Sequence, residues 1–195
     1  MKKDFFLSML LIASAGCCPR VESISLEGKV VPPLFPEVST DGWNIAAADL
    51  PERKSTPTLG TLRGGAFQVS LEKKGLPSGK YLLCVIHPQK GGRIFEKVLV
   101  LGESPKSLKD LSLGASSTLV AMAFQFAAGL GDRDFLGIEP VRLETLVSRK
   151  LLSRYENAFD VYLTGEAKGG GPAADHSLAL DSYASLKEAF SRVPD

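Results

Sequence analysis

Two hydrophobic periods succeed one another along the chain. From residue 21 to about residue 113, apolar residues come in short runs divided by turn-forming residues, the pattern of β-strands. The clearest run is Phe67-Gln68-Val69-Ser70-Leu71-Glu72, whose strict alternation predicts a strand with one face buried and the other wet. Residues 24–31 predict a first strand ended by Pro32-Pro33, and residues 43–48 a second, with loops rich in Pro and charge on either side. Residues 81–86 and 94–101 are apolar at consecutive positions, so each is expected to be covered on both faces. Several such strands predict a two-sheet sandwich. One face of each sheet meets the other sheet, so another part of the chain must cover these two strands from outside.

From Ser116 onward the period becomes helical. Residues 118–128 are almost wholly apolar, and no charged residue lies between Asp110 and Asp132, which predicts a buried helix of about three turns lying on the sheet. Pro140 suits a helix's first turn. Leu143, Leu146, Val147, Leu151, Tyr155, Ala158, Phe159 and Tyr162 then recur on one side, opposite Arg142, Glu144, Arg149, Glu156 and Asp160. Gly165 and residues 168–172 are expected to form a flexible linker, and Asp181 to cap a last helix that turns Tyr183, Leu186 and Phe190 inward. The expected fold class is α+β: an antiparallel β-sandwich over residues 17–113, then a helical region over residues 114–195 with about three helices packed on the outer face of one sheet.

The start of the chain belongs to neither pattern. Met1-Lys2-Lys3 leads into an apolar run that ends in Ala13-Ser14-Ala15-Gly16 before Cys17-Cys18. A bilayer-spanning helix needs roughly 20 apolar residues; this run is too short and reads as a removable secretory signal. Ser14-Ala15-Gly16-Cys17 resembles the lipobox of bacterial lipoproteins. That resemblance implies cleavage after Gly16, a diacylglyceryl group on the Cys17 sulfur and acylation of the new amino group. Ser14 departs from the Leu the family prefers. A shifted frame, Ala15-Gly16-Cys17-Cys18, would put the lipid on Cys18, but Cys is a poor residue just before the cut. The lack of Asp after Cys17 implies, in a bacterium with two membranes, the outer membrane, facing the periplasm or the surface.

The segment removed with the signal holds Lys2, Lys3 and Asp4, and what remains has balanced basic and acidic side chains with no run of either sign. That balance gives no electrostatic case for binding nucleic acid. The hydrophobic fraction of 44% suits a packed core.

A second resemblance rests on Gly28 in the first strand, Gly65-Ala66-Phe67, and Pro77-Ser78-Gly79-Lys80-Tyr81. In that order they resemble the carboxypeptidase regulatory-like domains, which are transthyretin-like (prealbumin-like) seven-stranded sandwiches related to Cna B-type repeats. The resemblance covers about residues 22–102. The Asp-Gly usual before the Phe is replaced by Gly64-Gly65-Ala66, and the region of Trp43 departs from the family's second strand. It implies a non-catalytic accessory or adhesive module and names no ligand.

Candidate chemistry is sparse. Of the two histidines, His87 precedes Pro88 at a loop boundary, and His176 lies in Asp175-His176-Ser177. Catalytic triads are assembled from separated segments, so three neighbours do not make one. Asp132-Arg133-Asp134 with Gly137 and Glu139 approaches a calcium loop but places Leu136 and Leu143 where oxygen ligands belong; a polar connection between helices is expected instead. Gly169-Gly170-Gly171 lacks the strand before and the Lys-Ser/Thr after that a phosphate loop needs. Cys84, inside an apolar run, reads as a core residue, with a Cys18–Cys84 bridge left open. No catalytic, cofactor or metal site is expected. The expected function is a lipid-anchored, non-enzymatic binding, adhesion or structural module of the cell envelope, with membrane lipid and an envelope protein or peptidoglycan as partners. The alternatives are an envelope hydrolase with an unrecognised site, or an assembly subunit docking through residues 111–131, which would leave Phe124 and Phe126 exposed.

Overall fold

The computed structural model describes residues 23–32, 38–50, 58–72, 79–102, 107–165 and 170–193; the signal segment, Cys17 and Cys18, and Pro77-Ser78 of the second motif lie outside them. Alternation decides the first sheet. In β1 (Ser23–Val30), Ile24, Leu26 and Val30 are buried; in β4 (Ala66–Glu72), Phe67, Val69 and Leu71 are buried and the residues between them exposed. These two pair antiparallel, and β7 (Ser107–Leu113) flanks β1 on its other side. The second sheet has the order β3-β2-β5-β6, all antiparallel, from β2 (Asn44–Asp49), β3 (Gly60–Thr61), β5 (Gly79–Ile86) and β6 (Arg93–Leu101). Inward residues of both sheets, Leu26, Phe67, Ile45, Leu83 and Phe95 among them, form one apolar cluster.

The all-antiparallel expectation needs one correction, because β7 runs parallel to β1. β5 begins after β4 ends, and its Gly79 pairs with Leu101 at the end of β6. β1 and β7 therefore both start at the end of the body where β4 and β6 finish, so they must run the same way. A register shift inserts one extra residue in β7 between Leu108 and Leu111, and Asp110 there has φ +56°, a left-handed conformation that Asp tolerates better than most side chains. The shift turns Leu111 back onto Gly28. A Cβ built on Gly28 would lie 2.2 Å from the Leu111 carbonyl oxygen and 2.8 Å from the Phe67 ring, so close backbone approach, not a bend, is what Gly28 provides. Gly28→Ala is expected to destabilise the fold by about 1–3 kcal/mol, the usual cost of overpacking, read as a lower urea midpoint at unchanged slope. A midpoint equal to wild type would contradict the close approach.

The second sheet is buried on both faces, as the consecutive apolar residues of β5 and β6 require. On its outer face Ala48, Leu82, Cys84 and Val98 meet Val120, Phe124 and Ala127 of α1 (Ala115–Leu130), together with Phe135, Leu143 and Leu186. Phe135 belongs to α2 (Arg133–Gly137), Leu143 to α3 (Pro140–Glu144) and Leu186 to α5 (His176–Ser191). The predicted apolar helix is thus a buried one, and no helix among the described residues is long and apolar enough to cross a membrane.

The remaining helix behaves differently from expectation. α4 (Arg149–Thr164) does not lie on the outer face; its buried stripe of Leu151, Tyr155, Phe159 and Tyr162 joins the cluster between the sheets. Phe159 and Tyr155 pack on Phe95 with ring centroids 5.6 and 6.4 Å apart. β6 is an edge strand, and long aromatic side chains reach into the core beside it. Two further expectations change in this region. Gly171 is not part of a loose linker: a Cβ on it would lie 2.3 Å from the Arg93 carbonyl oxygen, and Pro172 and Ala173 of the following 3₁₀ turn are buried. The last helix starts six residues earlier than predicted, at His176, because Asp175 and not Asp181 accepts the N-cap hydrogen bond, from the Leu178 amide. Asp181 instead pairs with Arg154 of α4.

Candidate functional site

An (i, i+3) pair in a regular strand points to opposite faces. Arg93 and Glu96 break that rule because β6 carries a bulge: Phe95 pairs with Val85 and Arg93 with Ile86, leaving Ile94 as the extra residue. Bulges re-aim side chains, and this one puts both charges on the outer face under α1. Glu96 is fully buried, with Arg93 Nη1 at 2.9 Å from its Oε1. Gln125 of α1 donates from Nε2 to Glu96 Oε2 at 2.5 Å, while Arg93 Nη2 reaches Gln125 Oε1 at 3.4 Å. The backbone is held as well: the Glu96 amide donates to Thr118 Oγ1 and the Ser117 hydroxyl donates to the Glu96 carbonyl. Buried charges persist when they are paired and hydrogen-bonded, and this cluster meets that condition.

The Arg93 side chain is 25% exposed, and it opens into a cleft of about 540 Å³ between the second half of α1 and the start of α5. Met122, Phe126 and Leu130 form the apolar wall, Ala173, Ala174 and Ala179 keep the opposite side low, and Asp175 and His176 stand at the start of α5. That volume lies within the range of small-ligand sites. A broader trough, about 1030 Å³, crosses the outer face of the first sheet past Glu27, Lys29, Arg63, Gln68 and Asp110. Every charged side chain lining it is exposed, and solvated charges on a strand face are ordinary surface. The smaller cleft, floored by a fixed guanidinium, is the better candidate.

The residues singled out in the sequence fall into place around other tasks. His87 accepts the Gln89 and Lys90 amides at Nδ1, both at 3.2 Å, and packs on Trp43 with centroids 5.0 Å apart. Lys90 in turn donates from Nζ to the carbonyls of Tyr162, Leu163 and Gly165 at the end of α4, where a cation is favoured. Desolvation, then the Lys90 charge, lowers the His87 pKa from its ordinary 6.5. A lowered histidine binds its proton less well folded than unfolded, so its stabilisation is complete above pH 6.5 and declines as pH falls below it. Urea midpoints are expected to drop between pH 7.5 and 5.5, and His87→Asn, which keeps an acceptor, is expected to flatten that slope. An unchanged slope in the variant would assign it elsewhere.

His176 and Asp175 lie together at the start of α5, but the Asp175 carboxylate receives the Leu178 amide, and Ser177 Oγ receives Arg154 Nη2 at 3.3 Å. They form a helix start and no proton relay. His87 contacts Trp43 and Tyr162, whereas His176 contacts Phe126, so the two histidines serve separate clusters. Asp132 caps α2 through the Phe135 amide and receives Tyr183 Oη and Lys187 Nζ of α5 at 2.5 and 2.6 Å. Lys187, Tyr183 and the Phe135 amide hold its carboxyl well below the usual carboxylate range. The expected polar connection between helices is what the acidic run makes; among the described residues no group of three or more His, Cys, Asp or Glu is placed to hold a metal.

Cys84 is 2% exposed beneath α1, with Sγ 3.7 Å from Glu96 Oε1; burial, then the Glu96 charge, pushes its thiol pKa up. Cys17, the candidate lipid site, its alternative Cys18, and Gly169 lie outside the described residues. Phe124 is fully buried and Phe126 half-buried between His176 and Tyr183, while Leu130 is exposed, so the expected exposure of Phe124 is not found and only the end of the uncharged segment keeps apolar surface open. Sequence reasoning missed Arg93, Glu96 and Gln125. Glu96 and Lys97 were the only charges within an apolar run, a visible anomaly, but nothing marked the bulge that brings Arg93 to the same face. No family model matches the chain, and the searches of curated proteins and of solved structures returned no match.

Proposed function

We propose that this chain is a lipid-anchored cell-envelope protein that acts as a non-catalytic binding module, a transthyretin-like β-sandwich braced by helices and held to the membrane through Cys17. The anchor rests on Ser14-Ala15-Gly16-Cys17. Among the described residues, seven strands in two sheets sharing one apolar cluster are in keeping with the seven-stranded count that the regulatory-like resemblance implies. The binding reading is carried by one observation: the preorganised Arg93–Glu96–Gln125 cluster opens to a cleft of ligand size. Preorganised polar groups beside an apolar wall are what recognition uses. A hydrolase would need a nucleophile or a base aimed at a substrate, and the histidines and the acid-rich run are engaged in caps and ring contacts instead.

The test is processing in the native host or another lipoprotein-competent bacterium. Globomycin, which blocks the lipoprotein signal peptidase, is expected to make the full-length precursor accumulate, and labelled palmitate to enter the mature protein. Normal processing under globomycin, with a soluble product, would remove the anchored reading.

A further inference from the structure

We infer that the Arg93 cleft takes an uncharged amide on an aliphatic body, the group that a peptide backbone presents, with the guanidinium donating to the amide oxygen. The inference deepens the binding reading and rests on it. Glu96 and Gln125 engage two nitrogens of the guanidinium, and the exposed quarter of the side chain faces the cleft. An arginine fork presents several N–H donors in one plane, so donors remain for a planar acceptor. Charge decides which acceptor. Glu96, fully buried behind Arg93, offsets its positive charge, and Asp175 adds a carboxylate at the rim. A phosphate or a carboxylate would meet no net positive field there, whereas an amide oxygen needs none.

The same amide supplies a donor for the rim. Asp175 Oδ1 receives the Leu178 amide, and Oδ2 remains to accept the N–H of the ligand. The aliphatic body lies against Met122, Phe126 and Leu130, in the space that Ala173, Ala174 and Ala179 leave. Buried polar positions matched by donor and acceptor give selectivity over isosteres that lack one of them, so a carboxylate of the same shape is expected to bind worse.

The experiment uses the full chain in detergent micelles, with 4-methylpentanamide as the probe and 4-methylpentanoate as its carboxylate counterpart, observed by saturation-transfer NMR. Two variants locate the site. Gly129 lines the cleft inside α1, and a Cβ built on it meets nothing within 4 Å; Gly129→Leu therefore starts from an unobstructed Cβ, extends into the cleft and favours the helix. Arg93→Lys keeps the charge but removes the fork. The amide is expected to bind, the carboxylate at least fivefold more weakly, and each variant to weaken the amide at least fivefold while unfolding cooperatively. Preference for the carboxylate, no amide binding, or equal binding by Gly129→Leu would each overturn the inference. A globomycin-sensitive, palmitate-labelled protein that ignores the amide would leave the anchored-module reading standing without this ligand.

Discussion

Cys17→Leu, which removes the thiol without placing a small residue just before Cys18, is expected to abolish palmitate incorporation and to move the protein out of the lipoprotein pathway altogether. The effect is close to all-or-none because the thiol is the acceptor of the diacylglyceryl group. Without that group the lipoprotein peptidase has no substrate, so the uncut precursor is the expected product. Each buried acyl methylene contributes about 0.8 kcal/mol, and stable anchoring takes two or more chains; a mature protein lacking them has nothing comparable among its described helices. Cys18→Ala, by contrast, is expected to leave labelling intact. If Cys18→Ala loses palmitate and Cys17→Leu keeps it, the frame shifts by one residue and the anchor moves to Cys18.

Glu96→Ala is expected to produce a large loss of stability, comparable to truncating a fully buried core side chain. Breaking a buried ion pair by removing one partner costs about 3–5 kcal/mol, because the other charge is left uncompensated. Water reaches the Arg93 guanidinium from the cleft side, which places the expected cost near the lower end, about 3 kcal/mol. For a chain of this size that corresponds to a fall in Tm of roughly 6–12 °C. Replacing both charges, in Arg93→Met with Glu96→Met, is expected to cost less than Glu96→Ala alone, since no orphaned charge remains. Calorimetry of the three proteins separates the cases. A Glu96→Ala protein melting within 2 °C of wild type would show that the pair is not held in the dry environment described above.

The contrast between these residues and their neighbours explains what the sequence made legible. β4 could be read from alternation, and the double coverage of β5 and β6 from consecutive apolar residues, because burial acts directly on hydrophobic pattern. β7 was not distinct, since its bulge interrupts the alternation of Leu108, Leu111 and Leu113. The start of α5 was misplaced for a related reason. Asp175 and Asp181 are the same residue type, and in the fold the first caps a helix whose Leu178 is 1% exposed while the second pairs with Arg154. Gly171 read as freedom and serves close contact instead, because a missing side chain permits both and the neighbouring strand decides between them. The Arg93–Glu96 pair depends on a single inserted residue, Ile94, which carries no local mark. Features set by residue type alone were readable; those set by register were not.

The early start of β1 bears on how the protein stands. Only five residues lie between Cys17 and Ser23, and the six steps reach no more than about 22 Å at full extension. If lipid is carried on Cys17, as proposed above, the end of the body where β1 begins is held within that distance of the anchor. β6 runs toward that end, from Arg93 to Leu101. At roughly 3.3 Å per residue, the backbone of Arg93 lies about 26 Å along the strand from Leu101, so the cleft and the start of β1 sit toward opposite ends of the body.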